Sequence, residues 1–140
     1  MPSLICGRKK PASRRLPELQ RKRQFKRKRN RLKMIKHIVM WNVRGETPAE
    51  KAQGIARLQQ SFSALRGKIP GLLHIEIGVD SSRIDYACDV VLYSEFESQA
   101  ALDAYSMHPE HQRIKRELAD LRIARHQVDY EASKAQPLVE

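Results

Sequence analysis

The sequence predicts an α+β domain with the element order β-α-β-β-α-β, and three observations predict it. Charge falls abruptly near Met34, apolar periodicity then alternates between about two and 3.6 residues, and proline and glycine punctuate each change of period. Residues 1–33 hold fourteen Lys/Arg against one acid, Glu18, a net charge of +13; residues 34–140 hold thirteen against fifteen, or −2. The chain's formal +11 therefore resides in its first quarter. The division predicts a basic leader over 1–33, a folded domain over 34–132 and a short tail over 133–140.

Ile35–Val43 (IKHIVMWNV) is rich in β-branched and aromatic residues, with Ile35, His37, Val39 and Trp41 on one face and Ile38 and Met40 on the other, as in a strand buried on both sides. Arg44–Glu46 turns the chain. Thr47–Pro48–Ala49–Glu50 forms a capping box with proline at the first helical position, so a helix begins there. Ile55, Leu58, Phe62 and Leu65 make its apolar stripe to about Arg66, and Gly67 with Pro70–Gly71 ends it. Leu72–Val79 alternates, with Leu73, Ile75, Ile77 and Val79 on the apolar face. After a polar loop, Tyr86–Phe96 predicts a longer strand that forms an antiparallel hairpin with it. Ser98 caps a short helix through Tyr105, Pro109 opens a second over Pro109–Leu121, and Ile123–Tyr130 supplies the last strand. Helices on one face of such a sheet leave the other bare, and a second copy of the chain is the simplest cover.

The leader admits three readings. Leu16–Lys33 has too few apolar residues among too many like charges to build a core, so it is expected to be unstructured, with helix forming on contact with an anionic partner. As an arm it would bind nucleic acid through its Lys/Arg clusters, with Phe25 alone available for stacking. As a targeting peptide it lacks the apolar stretch of a secretory signal. In the third reading translation starts at Met34 and the leader is not made. Two cysteines, Cys6 in the leader and Cys88 in a predicted strand, make no disulfide framework, and Cys88 reads as a small buried apolar residue. With no apolar run of about eighteen residues, these features place the protein in the cytoplasm, away from membranes.

All five histidines lie beyond Met34. His37 falls on an apolar strand face, where a polar ring needs a partner or a cavity. The densest cluster is Tyr105–Ser106–Met107–His108–Pro109–Glu110–His111. Proline keeps the preceding His108 out of helical conformation and starts a new helix, placing His111 in its first turn near free amides. An imidazolium is disfavoured there, so His111 would stay neutral and accept a proton, while Tyr105 donates a hydrogen bond to a carbonyl or enolate oxygen. The alternative is an interrupted helix with surface histidines. A metal held by His108, Glu110 and His111 is the poorer reading, because the proline splays the two rings and no further ligand is evident.

From Met34 to Glu131 the chain resembles the stress-responsive A/B-barrel proteins, a dimeric α+β barrel group that includes a plant polyketide cyclase. The resemblance rests on Lys36–His37–Ile38–Val39, Pro70–Gly71, Tyr93–Ser94–Glu95–Phe96–Glu97–Ser98, and Tyr105 with His108–Pro109–Glu110–His111. It implies a ferredoxin-like fold whose four-stranded antiparallel sheet packs against a second copy to close a barrel. In the cyclase, a tyrosine and a histidine matching Tyr105 and His111 promote an intramolecular aldol condensation, the histidine acting as base, and histidines from the first and third strands line the cavity. His37 keeps the first of those positions. Asp89–Val90–Val91 offers no histidine at the other, so the resemblance carries a pocket rather than polyketide cyclisation.

The reading is a homodimeric stress-responsive A/B-barrel protein that binds a small, partly apolar ligand. His111 and Tyr105 are its expected catalytic pair, and His37, Trp41, His108 and Val90 are expected against the ligand, with neither metal nor cofactor. As an enzyme it would move a proton next to a carbonyl. The alternative is a dimeric interaction protein whose basic arm, if present, binds nucleic acid.

Overall fold

The computed structural model describes residues 15–139. Cys6 and the first part of the expected leader lie outside them. Helix α1 (Glu18–Leu32) comes first, followed by strand β1 (Ile35–Val43), helix α2 (Pro48–Ser63), strands β2 (Leu72–Val79) and β3 (Val90–Phe96), helices α3 (Gln99–Met107) and α4 (Pro109–Glu117), strand β4 (Arg122–Glu131) and a 3-10 turn, Ala132–Lys134. The strands form one antiparallel sheet in the order β2-β3-β1-β4. This is the ferredoxin-like fold.

The inward row of β1 is Ile35, His37, Val39, Trp41 and Val43, all buried. It packs under Leu58 and Phe62 of α2, Leu102 and Tyr105 of α3 and Ile114 of α4, which form one core with Val90, Leu92 and Phe96 of β3. Each large side chain buried here contributes roughly 1.5–3 kcal/mol. The predicted capping box is present: the Thr47 hydroxyl accepts from the Glu50 amide at 3.2 Å, and Glu50 accepts from the Thr47 amide at 3.3 Å. Gly54 lets α2 approach the sheet, because a Cβ there would lie 2.7 Å from both Val43 and Leu121.

Several boundaries differ from those the sequence predicts. Helix α2 stops at Ser63, and the next turn tightens into i→i+3 bonds such as Leu65 N–H to Phe62 O, which still buries Leu65. Strand β2 starts with a register shift between Leu72 and His74, so Leu72 packs against the core and Leu73 is exposed. Strand β3 begins at Val90, and Tyr86–Ala87 lie in a turn closed by the Ala87 N–H and Ile84 O. Asp89 fixes that boundary: its carboxylate accepts the Val43 amide at 2.8 Å and pairs with Lys51 at 3.2 Å. Cys88 consequently sits half-buried in the loop, not in a strand. Helix α4 ends at Glu117, although Leu118 and Leu121 are buried as its stripe predicts.

The leader was expected to be unstructured, and over Glu18–Leu32 it is helical. Lys, Arg, Gln and Leu are good helix formers, and Glu18 pairs with Lys22 one turn on at 2.8 Å. None of its residues is buried, so this helix lacks the packed face that stabilises the other three. The sheet face away from the helices carries Ile38 and Met40 of β1, Val91 and Tyr93 of β3 and Val128 of β4, none of them buried.

Gly67 and Gly71 both have φ near the left-handed region, 75° and 77°. A Cβ at Gly67 would meet nothing within 4 Å, whereas at Gly71 it would lie 2.6 Å from the Ala101 Cβ. Gly67→Ala is therefore expected to cost about 1 kcal/mol from backbone conformation alone. Gly71→Ala should cost roughly 2–4 kcal/mol, since overpacking adds to it. Urea midpoints at unchanged m-value check this, and equal losses would refute the close approach of the turn to α3.

Candidate functional site

Proline after His108 produces the break between α3 and α4, and the break opens a cavity over the sheet. His108 adopts φ −64°, ψ 137°, and its Nδ1 accepts the Glu110 amide at 3.1 Å, capping α4. The chain reversal brings Tyr105 from the last turn of α3 against His111 from the first turn of α4, ring centroids 4.2 Å apart. Together with His37 of β1 and Arg125, Gln127 and Asp129 of β4, these two line a cavity of about 230 Å³.

Tyr105 is 2% exposed, and its hydroxyl is a buried polar group with no hydrogen-bond partner among the described residues. Burial raises its pKa well above the phenolic range, only partly offset by Arg122 and Arg125. The hydroxyl is thus a donor that keeps its proton. His111 is shifted the other way: burial lowers its pKa, the carbonyl of Ser106 raises it, and Lys115, Arg122 and Arg125 lower it further. The ring stays neutral at pH 7. Its Nδ1 lies 3.3 Å from the Ser106 carbonyl oxygen, which can only accept, so Nδ1 carries the hydrogen and Nε2 keeps its lone pair.

His37, 6% exposed, is held by Asp129 across the β1–β4 ladder, with Nδ1 to Oδ1 2.5 Å. That carboxylate meets the need for a partner that a polar ring in an apolar row creates. The Gln127 amide donates to the other oxygen of Asp129 at 2.9 Å. Among the residues expected at the site, His37, Tyr105 and His111 converge. Trp41, Val90 and His108 do not line this cavity: Trp41 stacks on Phe62 with centroids 5.9 Å apart and borders the hollow beside Arg122, Val90 is buried in the core and lines a separate, larger hollow, and His108 spends its ring nitrogen on the helix cap.

Sequence reasoning missed Arg125, Gln127 and Asp129. Their period-two spacing was the available signal, yet which face they occupy depends on a bulge. Trp41 pairs with Arg125 but Asn42 with Ile123, leaving Ala124 as the extra residue at φ 48°. A non-glycine residue there costs about 1–2 kcal/mol, a strain that bulges near functional sites often hold. Among the described residues no three His, Cys, Asp or Glu side chains could hold a metal ion together, and no helix is long and apolar enough to cross a membrane. A larger hollow of about 490 Å³ lies elsewhere, lined by Met40, Val79, Tyr86, Cys88, Val91 and His126 among others. It contains none of the converging groups and borders the uncovered sheet face.

The chain matches the family described as the stress responsive A/B barrel domain over residues 35–132. No curated protein matches it. Among solved structures it resembles a dimeric protein with a ferredoxin-like fold from Bacteroides fragilis, at 33% identity over 70% of this chain and 95% of that one, TM-score 0.62. A Dabb family protein with a ferredoxin-like fold from Mesorhizobium loti shares 26% identity over 69% of this chain and 94% of that one, TM-score 0.54. A hydroxynitrile lyase from Passiflora edulis, 14% identical over 76% and 99% of the two chains with TM-score 0.64, shares the fold. Matched over most of its length, the chain belongs to the stress responsive A/B barrel domain family.

Proposed function

We propose that the protein is a homodimer that holds a small, partly apolar carbonyl compound in the cavity beneath the α3–α4 break and moves a proton on the carbon next to that carbonyl. The observation that carries this reading is the buried Tyr105 hydroxyl, without a partner among the described residues, on a ring packed against that of a neutral His111. Leaving such a hydroxyl unsatisfied costs roughly 1–3 kcal/mol, and a ligand oxygen that accepts its hydrogen bond removes that cost. In the reaction, His111 Nε2 takes the proton, the C–H electron pair becomes the enolate, and Tyr105 stabilises the oxygen on which charge develops. His37, oriented by Asp129, faces the same space. No cofactor is needed for this step.

A screen of aryl and alkyl ketones for α-proton exchange in D2O tests the reading. His111→Ala should reduce exchange at least about a hundredfold, in keeping with general-base contributions. Tyr105→Phe should slow it similarly while leaving stability unchanged or about 1 kcal/mol higher, because the orphan hydroxyl is gone. The base must be neutral and its pKa is depressed from 6.5, so activity should persist below pH 6.5 and fall only at lower pH. Exchange that follows an ordinary imidazole titration, or survives in both variants, removes the pair from the reaction.

The dimer rests on the uncovered sheet face and on similar proteins that are themselves dimeric. Ile38→Lys should convert a dimer to monomers in light scattering with the helical signal retained. An unchanged mass would exclude this face as the interface.

Helix α1 supports a second reading, in which the arm binds duplex nucleic acid. It bears eight Lys/Arg against Glu18, none of its residues is buried, and its cations surround the helix instead of flanking an apolar membrane-binding face. Duplex affinity should fall with log salt at a slope of about −0.9 per phosphate neutralised. Combining Lys22→Gln, Lys26→Gln and Arg29→Gln should flatten that slope, and a full-length chain that binds no duplex at low salt ends this reading.

A further inference from the structure

Beside Tyr105 and His111 lies a set of cations with no carboxylate partner among the described residues. Arg122 and Arg125 are three residues apart, a spacing that places side chains on opposite faces of a regular strand. The bulge at Ala124 cancels that alternation: Arg125 pairs with Trp41 and Arg122 with Val43, both inward-facing residues of β1. Both guanidinium-bearing residues therefore face the helices. Arg122 lies over the Trp41 ring, 4.9 Å from its centroid. Arg125 borders the cavity and also the adjoining hollow that Arg122 and Lys115 line.

Among the described residues, none of Lys115, Arg122 and Arg125 makes an ion pair, and the one side-chain hydrogen bond of Arg125 goes to the Gln127 amide oxygen at 2.5 Å. The carboxylates nearest the cavity are occupied otherwise. Asp129 holds His37, and Asp103 accepts the Gln99 amide at 2.9 Å. Burial and then the neighbouring Arg125 lower the pKa of Arg122, the direction expected where cations are gathered without counterions.

We infer that the cavity selects ligands that carry a carboxylate, anchored by Arg125 with Arg122 behind it, so that the carbonyl to be activated belongs to a small keto acid. The inference rests on the cavity proposed above as the binding site, but not on the proton transfer. A guanidinium fork matches the two oxygens of a carboxylate: Arg125 offers it from an exposed position at the mouth, and half-buried Arg122 adds charge behind it where water is partly excluded. The cavity's 230 Å³ equals about eight waters at ~30 Å³ each, which suits a compact acid. With Asp103 and Asp129 also on its wall, a monoanion fits the balance of charge better than a phosphate dianion. Held by Arg125 on the strand side, such a molecule extends towards the Tyr105 hydroxyl on the helix side.

Binding of benzoate, benzamide and inorganic phosphate to the full chain, followed by ligand-observed NMR, tests this independently of turnover. Benzoate should bind saturably, benzamide at least about tenfold more weakly, and phosphate no better than benzamide. Arg125→Gln should abolish the preference for benzoate and Arg125→Lys should keep part of it, with circular dichroism reporting that both are folded. Equal binding of acid and amide, binding of neither, phosphate matching benzoate, or a preference that survives Arg125→Gln would each overturn the inference. In the unsubstituted chain, absence of proton exchange alongside intact acid selection would condemn the catalytic reading and leave this one standing.

Discussion

A polar ring in the middle of an apolar row is the constraint on which the site depends. The inward face of β1 alternates Ile35, His37, Val39, Trp41 and Val43, and the three aliphatic members need only hydrophobic neighbours. His37 needs a partner, and Asp129 supplies it from the adjacent strand. That requirement fixes the register between β1 and β4, because a slip by one residue would turn Asp129 to the other face and leave the imidazole buried without a bond. With β4 so placed, Gln127 and Arg125 follow at alternate positions along the same wall. The cavity lining on the edge strand is thus tied to burial on the central one.

The two faces of the sheet are used differently. Towards the helices, side chains interlock from Phe62 and Phe96 out to Ile114 and Leu118, all essentially buried, and such packing resists displacement. Away from them, Ile38, Met40, Val91 and Tyr93 are only half-covered and Val128 is half-exposed. The cavity beneath the α3–α4 break lies against this interlocked face, which holds its walls rigid. Apolar area on the opposite face remains available for association with another surface.

Much of this was legible in the sequence where one residue carried its own signal. The capping box at Thr47–Glu50, the stripe Leu58–Phe62–Leu65 and the break at His108–Pro109 are local patterns, and each appears where it was expected. The convergence of His37, Tyr105 and His111 was legible as well, with the family resemblance joining elements that spacing alone could not. What escaped depends on pairing. Asp129 and Arg125 look like ordinary charges on an exposed strand until the register and the Ala124 bulge are known. Tyr86 and Cys88 continue an apparent strand pattern that the Asp89 carboxylate cuts short by capturing the Val43 amide. The helix over Glu18–Leu32 reflects intrinsic propensity, which a composition argument about burial does not weigh.

The segment His108–Pro109–Glu110–His111 shows how one short pattern divides between capping a helix and lining a cavity. Its two histidines are similar in sequence and opposite in circumstance. His108 precedes the proline, takes an extended conformation and accepts the Glu110 amide, which satisfies one of the free amides at the start of α4. His111 follows on the first helical turn, where the Ser106 carbonyl engages one nitrogen and the Tyr105 ring covers its face, leaving the other nitrogen without an assigned proton. Had His108 been free for a ligand, α4 would lose its cap, and the angle that presents His111 would loosen with it. The cap holds the angle, the angle brings His111 onto Tyr105, and the same covering that depresses the imidazole pKa keeps the phenol protonated. Acceptor and donor are therefore set by one packing arrangement, so a change that opens it to water would shift both groups back towards their ordinary titration together.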